Sequence, residues 1–196
     1  KYIGEYAFYN TKIGRIFIPK DVIVIENSTF LKCDLFQLIE FSENSKLQVI
    51  GDFAFADTNL KEISIPCSVT EILNKAFLRC RFLKIFQIPE NSKLRMIGPL
   101  AFAYTSIQIL YIPSCFCQFD EKWNLGLYQL KEIIVSPENH NFKFTEDQLL
   151  LGKSDKNSDN YDVLIFANRC VKTVTIQSNI KIISSFAFDN CLGLEK

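Results

Sequence analysis

The side chains able to do chemistry are few in this 196-residue chain, and they are scattered. It holds one histidine, His140, set between Asn139 and Asn141. No serine or cysteine is tied to that histidine by an elbow or triad motif, so nucleophilic catalysis lacks a base. No glycine-rich loop is present to cradle a phosphate. Asp155-Lys156-Asn157-Ser158-Asp159 opens like a calcium loop, D-x-N-x-D. The sixth position is then Asn160 where a glycine makes the sharp turn, and the twelfth is Phe166 where a bidentate carboxylate belongs. A solvated turn is the expectation there. Cys115-x-Cys117 lacks a second pair or a nearby histidine and is poor zinc spacing. The chain therefore reads as a non-enzyme with no metal and no cofactor.

What positions the side chains is a repeat. Ile3-Gly4-Glu5-Tyr6-Ala7-Phe8 returns as Ile50-Gly51-Asp52-Phe53-Ala54-Phe55 and as Ile97-Gly98-Pro99-Leu100-Ala101-Phe102. Degenerate copies run from Ile25 to Phe30, Ile72 to Phe77 and Ile183 to Phe188. The unit starts are 3, 25, 50, 72, 97, 119 and 183, and the first six differ by 22, 25, 22, 25 and 22. Two kinds of unit thus alternate. Each has a second half of the form apolar-x-x-apolar-x-apolar, often followed by proline, as in Leu60-Lys61-Glu62-Ile63-Ser64-Ile65-Pro66. The β-branched, period-two part predicts a short strand with one buried face. The proline stops it, having no N–H for a ladder. Strand rungs are expected at 16–18, 39–41, 63–65, 86–88, 110–112, 133–135 and 174–176. The Ala-Phe part is expected to form a short helix or 3₁₀ turn, with alanine where backbones approach and phenylalanine as a wedge.

Stacked units of this length with one strand each make an α/β repeat solenoid of the leucine-rich repeat kind. The pattern Leu60-x-x-Ile63-x-Ile65-Pro66-x-x-Val69-x-x-Ile72, followed by Ala76-Phe77 and Cys80, resembles the BspA-like, or Treponema pallidum-type, leucine-rich repeats. The resemblance covers nearly the whole chain. It implies short parallel strands on one face, short helices or turns on the other, and a protein-binding task. Relatives of this kind are bacterial and protozoan surface proteins that bind host matrix or host cells. The Ile-, Lys-, Asn- and Phe-rich composition would suit an AT-rich parasite genome.

One segment breaks the period. The step from 119 to 183 is about 40 residues longer than one unit, and the extra material runs from about 136 to 169. Leu149-Leu150-Leu151 and Val163-Leu164-Ile165-Phe166 flank a polar turn at 153–162, which predicts a β-hairpin. BspA-like proteins often carry such an insertion, so residues 1–196 read as one solenoid domain with an inserted hairpin. The chain begins and ends inside repeats, so it reads as a fragment of a longer protein.

Cys33, Cys80 and Cys191 each follow a unit phenylalanine by three residues, where other units place Thr11, Thr58 and Thr105. This is an inward column. Cys33 and Cys80 are two rungs apart, roughly 9–10 Å at the usual strand spacing, beyond the ~7 Å Cα reach of a disulfide. Buried free thiols are expected. Cys67, Cys115, Cys117 and Cys170 fall in turns, and spacing leaves their pairing open.

The outward strand positions carry the functional reading. The first outward column is Arg15, Leu38, Glu62, Ile85, Ile109, Glu132, Thr173, and the second is Phe17, Glu40, Ser64, Gln87, Tyr111, Ile134, Thr175. Ile85, Ile109, Tyr111 and Ile134 should lie side by side, rimmed by Gln87, Glu132 and Lys131, as a protein-binding patch would. The competing expectations are that the hairpin folds over this face and buries it, or that a β-rich face simply tolerates isoleucine. The candidate binding residues are thus Leu38, Ile85, Gln87, Ile109, Tyr111, Glu132 and Ile134.

The charge balance, 22 basic against 22 acidic residues, argues against nucleic acid and against docking on an anionic membrane. No apolar run approaches the ~18–20 residues that span a bilayer, and Lys1-Tyr2-Ile3-Gly4 has no signal-peptide apolar region. The reading is a non-catalytic protein-binding module, surface-displayed or secreted, with a host protein as partner. The alternative is an intracellular, cytoplasmic scaffold. The sequon Asn27-Ser28-Thr29 matters only in a secreted protein.

Overall fold

A computed structural model describes residues 1–120 and 122–195. Two parallel ladders run along the solenoid. The first holds β2 (Arg15–Ile18), β4 (Leu38–Phe41), β6 (Glu62–Ser64), β8 (Ile85–Gln87), β10 (Ile109–Ile112) and β12 (Glu132–Val135). The second holds two-residue strands: β1 (Tyr2–Ile3), β3 (Val24–Ile25), β5 (Val49–Ile50), β7 (Glu71–Ile72), β9 (Met96–Ile97) and β11 (Gln118–Phe119). In the first ladder regular parallel pairing joins β2 to β4, β6 to β8 and β10 to β12, and the three pairs pack side by side. Six of the seven expected strand rungs are therefore present. The second ladder has no sequence signature, because two residues are too few for a period-two signal.

The expected short helices are absent: among the described residues the Ala-Phe segments are turns. The backbone gives the reason. Tyr6 and Asn10 are left-handed, each with φ 55°, and the pairing recurs at Ser28 and Lys32, Phe53 and Asp57, Lys75 and Arg79, Leu100 and Tyr104. A left-handed residue at every fourth position turns alternate N–H groups outward. Ala7 N–H and Tyr9 N–H close turns on Gly4 O and Tyr6 O, at 3.2 and 3.0 Å. Between them, Phe8 N–H and Asn10 N–H donate to Thr29 O and Leu31 O of the next coil, both at 2.9 Å. A helix would satisfy those donors internally; this ribbon uses half of them to fasten coil to coil.

The core is a phenylalanine column. Centroid separations are 5.1 Å from Phe8 to Phe30, 5.2 Å on to Phe55, 5.1 Å on to Phe77 and 5.7 Å on to Phe102. The rings stay within 20° of parallel because the coils repeat at about the ~4.8 Å strand spacing. Ala54, Ala76 and Ala101, one residue earlier, are buried where neighbouring backbones meet.

The inserted hairpin forms: β14 (Leu149–Gly152) pairs antiparallel with β15 (Val163–Ala167). It is part of a larger sheet. β13 (Phe142–Phe144) pairs antiparallel with β14, and β16 (Ile182–Ile183) pairs parallel with β15. Leu149, Leu151, Leu164, Ala167, Val171 and Ala187 form a second, smaller apolar cluster there. The expected rung at 174–176 is not a strand, and Thr173, Thr175 and Ile176 are exposed. β12 packs beside β13 instead, and Val174 packs against the second apolar cluster without joining a ladder.

Candidate functional site

On the first ladder the register aligns Ile109 with Glu132 and Tyr111 with Ile134, and likewise Glu62 with Ile85 and Ser64 with Gln87. Alternation along each strand sends Ile63, Phe86, Leu110 and Ile133 into the core and leaves their neighbours outside. Ile85, Ile109 and Ile134 are 47%, 48% and 44% exposed. Leu38, Gln87 and Glu132 are exposed too, and Tyr111 is half-buried against the core. The inserted sheet leaves this face open. Phe17 adds a further exposed ring at the first rung, across from Glu40.

The other sequence candidates do not converge. His140 is exposed, and only its carbonyl is engaged, 3.5 Å from the Tyr161 hydroxyl. Asp155 caps its own turn, accepting from Asn157 N–H at 2.9 Å. Among the described residues no group of His, Cys, Asp and Glu is placed to hold a metal. All seven cysteines are free. Cys33 and Cys80 are fully buried and Cys191 is partly buried. The thiols of the first two serve as donors: Cys33 Sγ to Phe8 O at 2.8 Å and Cys80 Sγ to Phe55 O at 3.0 Å. The cysteine bonds run to the preceding coil, whereas threonine bonds within its own, Thr58 Oγ1 donating to Phe55 O and Thr105 Oγ1 to Phe102 O. Phe55 O thus accepts from Thr58 and from Cys80 of the next coil. Burial pushes the Cys80 thiol up to about 12.

Several residues with structural importance gave no sequence signal. Asp162, at the foot of β15, accepts from Ser154 N–H at 2.8 Å and Ser154 Oγ at 2.7 Å, and pairs with Lys181 at 3.0 Å. The two Ser154 bonds first, and Lys181 after them, hold its carboxyl well below the usual carboxylate range. In the sequence it looks like one more polar turn residue. Arg169 is buried, with Nη1 donating to Ala187 O at 3.1 Å and its guanidinium 4.4 Å from the Phe166 ring centroid. Burial lowers its pKa from the ordinary arginine value.

A cleft of about 430 Å³ opens where the second ladder ends. Cys117 to Asp120 form one wall, and β15 with the Ile182–Ser185 stretch forms the other. Lys122, Lys153 and Lys156 stand on its rim.

Bacterial proteins of solved structure share this coil. The pneumococcal vaccine antigen PcpA superposes with a TM-score of 0.80 at 26% identity over 89% of this chain and 42% of its own. A leucine-rich cell surface protein of Faecalibacterium prausnitzii gives 0.70 at 19% identity, over 95% of this chain and 54% of its own. The Treponema pallidum leucine-rich repeat protein gives 0.57 at 21% identity, over 62% and 58%. The chain thus spans roughly half the length of the structures it matches. The comparison with curated proteins finds no match. Residues 1–131 and 154–196 match the BspA type leucine-rich repeat region in six copies, so the chain belongs to that family.

Proposed function

We propose that the chain is a non-catalytic protein-binding module whose first-ladder face, centred on Ile85, Ile109, Tyr111 and Ile134, docks a partner protein. The observation that carries this reading is the exposure of three isoleucines on neighbouring strands, Ile85 on β8 and Ile109 and Ile134 on the paired β10 and β12 packed beside it. Such a patch costs solvation free energy when left open and recovers it when covered. Leu38, Gln87 and Glu132 complete the contact surface. The likeness to PcpA, a vaccine antigen, supports display at the cell surface or secretion. Adhesion to a host matrix or cell-surface protein is the task we infer for the exposed face.

A second reading, an intracellular scaffold, is favoured by one fact: all seven cysteines are free, and Cys115 and Cys170 are exposed as well, which suits a reducing compartment. Antibody raised against the domain and applied to intact source cells separates the two. Labelling before permeabilisation is the expected result; labelling only afterwards overturns surface display. Labelled wild-type domain should then bind host cells, and the Ile109→Glu, Ile134→Glu double variant should lose that binding while keeping its fold. Equal binding by the variant would remove the face from the interaction.

A further inference from the structure

We propose that the cleft beside β11 is a second binding site, one that takes an extended acidic peptide as an added parallel strand.

The first support is an interrupted ladder. In each earlier rung of the second ladder, the carbonyl at the isoleucine position accepts an N–H from the next coil. Ile3 O takes Glu26 N–H, Ile25 O takes Gly51 N–H, Ile50 O takes Leu73 N–H, Ile72 O takes Gly98 N–H and Ile97 O takes Asp120 N–H, at 2.8–3.0 Å. Phe119 holds that position in β11. Among the described residues no following coil donates to it, and β9 is the only strand paired with β11. The chain that should supply the next rung begins correctly: Asn139 N–H closes on Ser136 O as Phe116 N–H closes on Pro113 O three residues before Phe119. At Phe142 it leaves to pair with β14 instead. β11 therefore lines the cleft with the Phe119 carbonyl without its ladder donor among the described residues, which is the opening that strand addition requires.

The second support is the lining. The floor is aromatic and aliphatic: Phe119 stacks on Trp123 at 4.1 Å, Phe142 meets Phe119 edge-on at 5.3 Å, and Ile165 lies opposite. Three lysines stand over it against one aspartate among the described lining residues, and Asp120 already accepts from Gln118 Nε2 at 2.8 Å. Lys153 is held 4.9 Å above the Tyr161 ring, and none of the three lysines has an ion pair among the described residues. A strand presents alternate side chains to opposite faces. A peptide of alternating apolar and acidic residues would set its apolar side chains on the floor and its carboxylates among the lysines. The volume lies within the ~300–1,000 Å³ usual for binding clefts.

The test uses the 196-residue chain and a fluorescein-labelled hexapeptide of alternating glutamate and valine, followed by anisotropy. Two control peptides accompany it: one with lysine for glutamate, and one with alternate backbone nitrogens methylated. The acidic peptide should bind, and each control should bind at least about tenfold more weakly. The Lys153→Glu, Lys156→Glu variant, checked by circular dichroism, should lose the acidic peptide. Absence of binding up to about 1 mM, the weak end of specific recognition, overturns the proposal. Equal binding of the methylated peptide overturns strand addition, and equal binding of the lysine peptide overturns the charge argument. Ile109→Glu should leave this binding unchanged, so the outcome is independent of the first-ladder face.

Discussion

The rings of Phe55 and Phe77 stack with centroids 5.1 Å apart and planes 10° from parallel, although 22 residues separate them in the chain. Each is fully buried and each touches the next ring of the column. Phe77→Ala would remove one ring from a close-packed stack whose neighbours are tied to their own coils. The loss should be about 3–5 kcal/mol, read from urea unfolding. Phe82, an exposed ring two residues past Cys80, is the matched control: its alanine variant should stay within about 0.5 kcal/mol of wild type.

Gly51 and Gly4 hold the same place in two coils but not the same space. A Cβ on Gly51 would sit 2.7 Å from the Glu26 carbonyl carbon and 2.8 Å from Asn27 N, while one on Gly4 meets nothing within 4 Å. Gly51→Ala should cost about 1–3 kcal/mol through overpacking, and Gly4→Ala should be near neutral. Thermal melts of the two variants decide it. Equal effects would mean that coil spacing at Gly51 is looser than described.

Thiol reactivity should divide by position. Cys115 and Cys170 are exposed and should react with a thiol reagent in the native state at pH 8. Cys80 is buried, its thiol raised to about 12, and should react only on unfolding. Mass-spectrometric mapping after brief labelling reads each site separately.

Asp162 couples the inserted sheet to acid. Its folded pKa lies below the unfolded value of about 3.9. Its stabilisation is therefore complete above the unfolded value and is lost as pH falls from there toward the lower folded value. Protection factors across β14 and β15, taken relative to the intrinsic exchange rate at each pH, should begin to fall near the unfolded value of about 3.9 and keep falling below it. Asp162→Asn should exchange faster at neutral pH and show a weaker acid dependence.

Much of this molecule is legible in its sequence, and the illegible parts have physical causes. The first ladder shows because Ile63-x-Ile65 and its relatives alternate strictly and end in proline. The phenylalanine column and its Cys/Thr partners show because each recurs once per coil. The Ala-Phe pattern leaves short helix and turn both open, because the pair is compatible with either. What decides is the left-handed backbone at residues such as Phe53 and Asp57, and no side-chain type there announces it. The candidate face followed from alternation alone, since Ile85, Ile109 and Ile134 break the polar-out rule in adjacent rungs. The cleft was invisible because it arises where β13 leaves the solenoid, a tertiary choice between two pairing partners that the local pattern does not encode.

The joint between the solenoid and its final section has a chemical lifetime. Among the described residues no main-chain hydrogen bond joins residues 1–135 to residues 139–195. The polar links are made largely by asparagine amides: Asn139 Nδ2 to Pro113 O at 2.7 Å, Asn141 Nδ2 to Phe116 O at 3.1 Å, Asn124 Nδ2 to Phe186 O at 3.0 Å, and Asn168 Nδ2 to Lys131 O. Each is a donor aimed at a carbonyl. Deamidation converts that donor into a carboxylate, and two acceptors then face each other across a partly dry gap. Deamidation would therefore weaken this joint more than the coils of the stack, where asparagine links such as Asn59 Nδ2 to Asp34 O are backed by main-chain bonds from coil to coil, Phe8 N–H to Thr29 O among them.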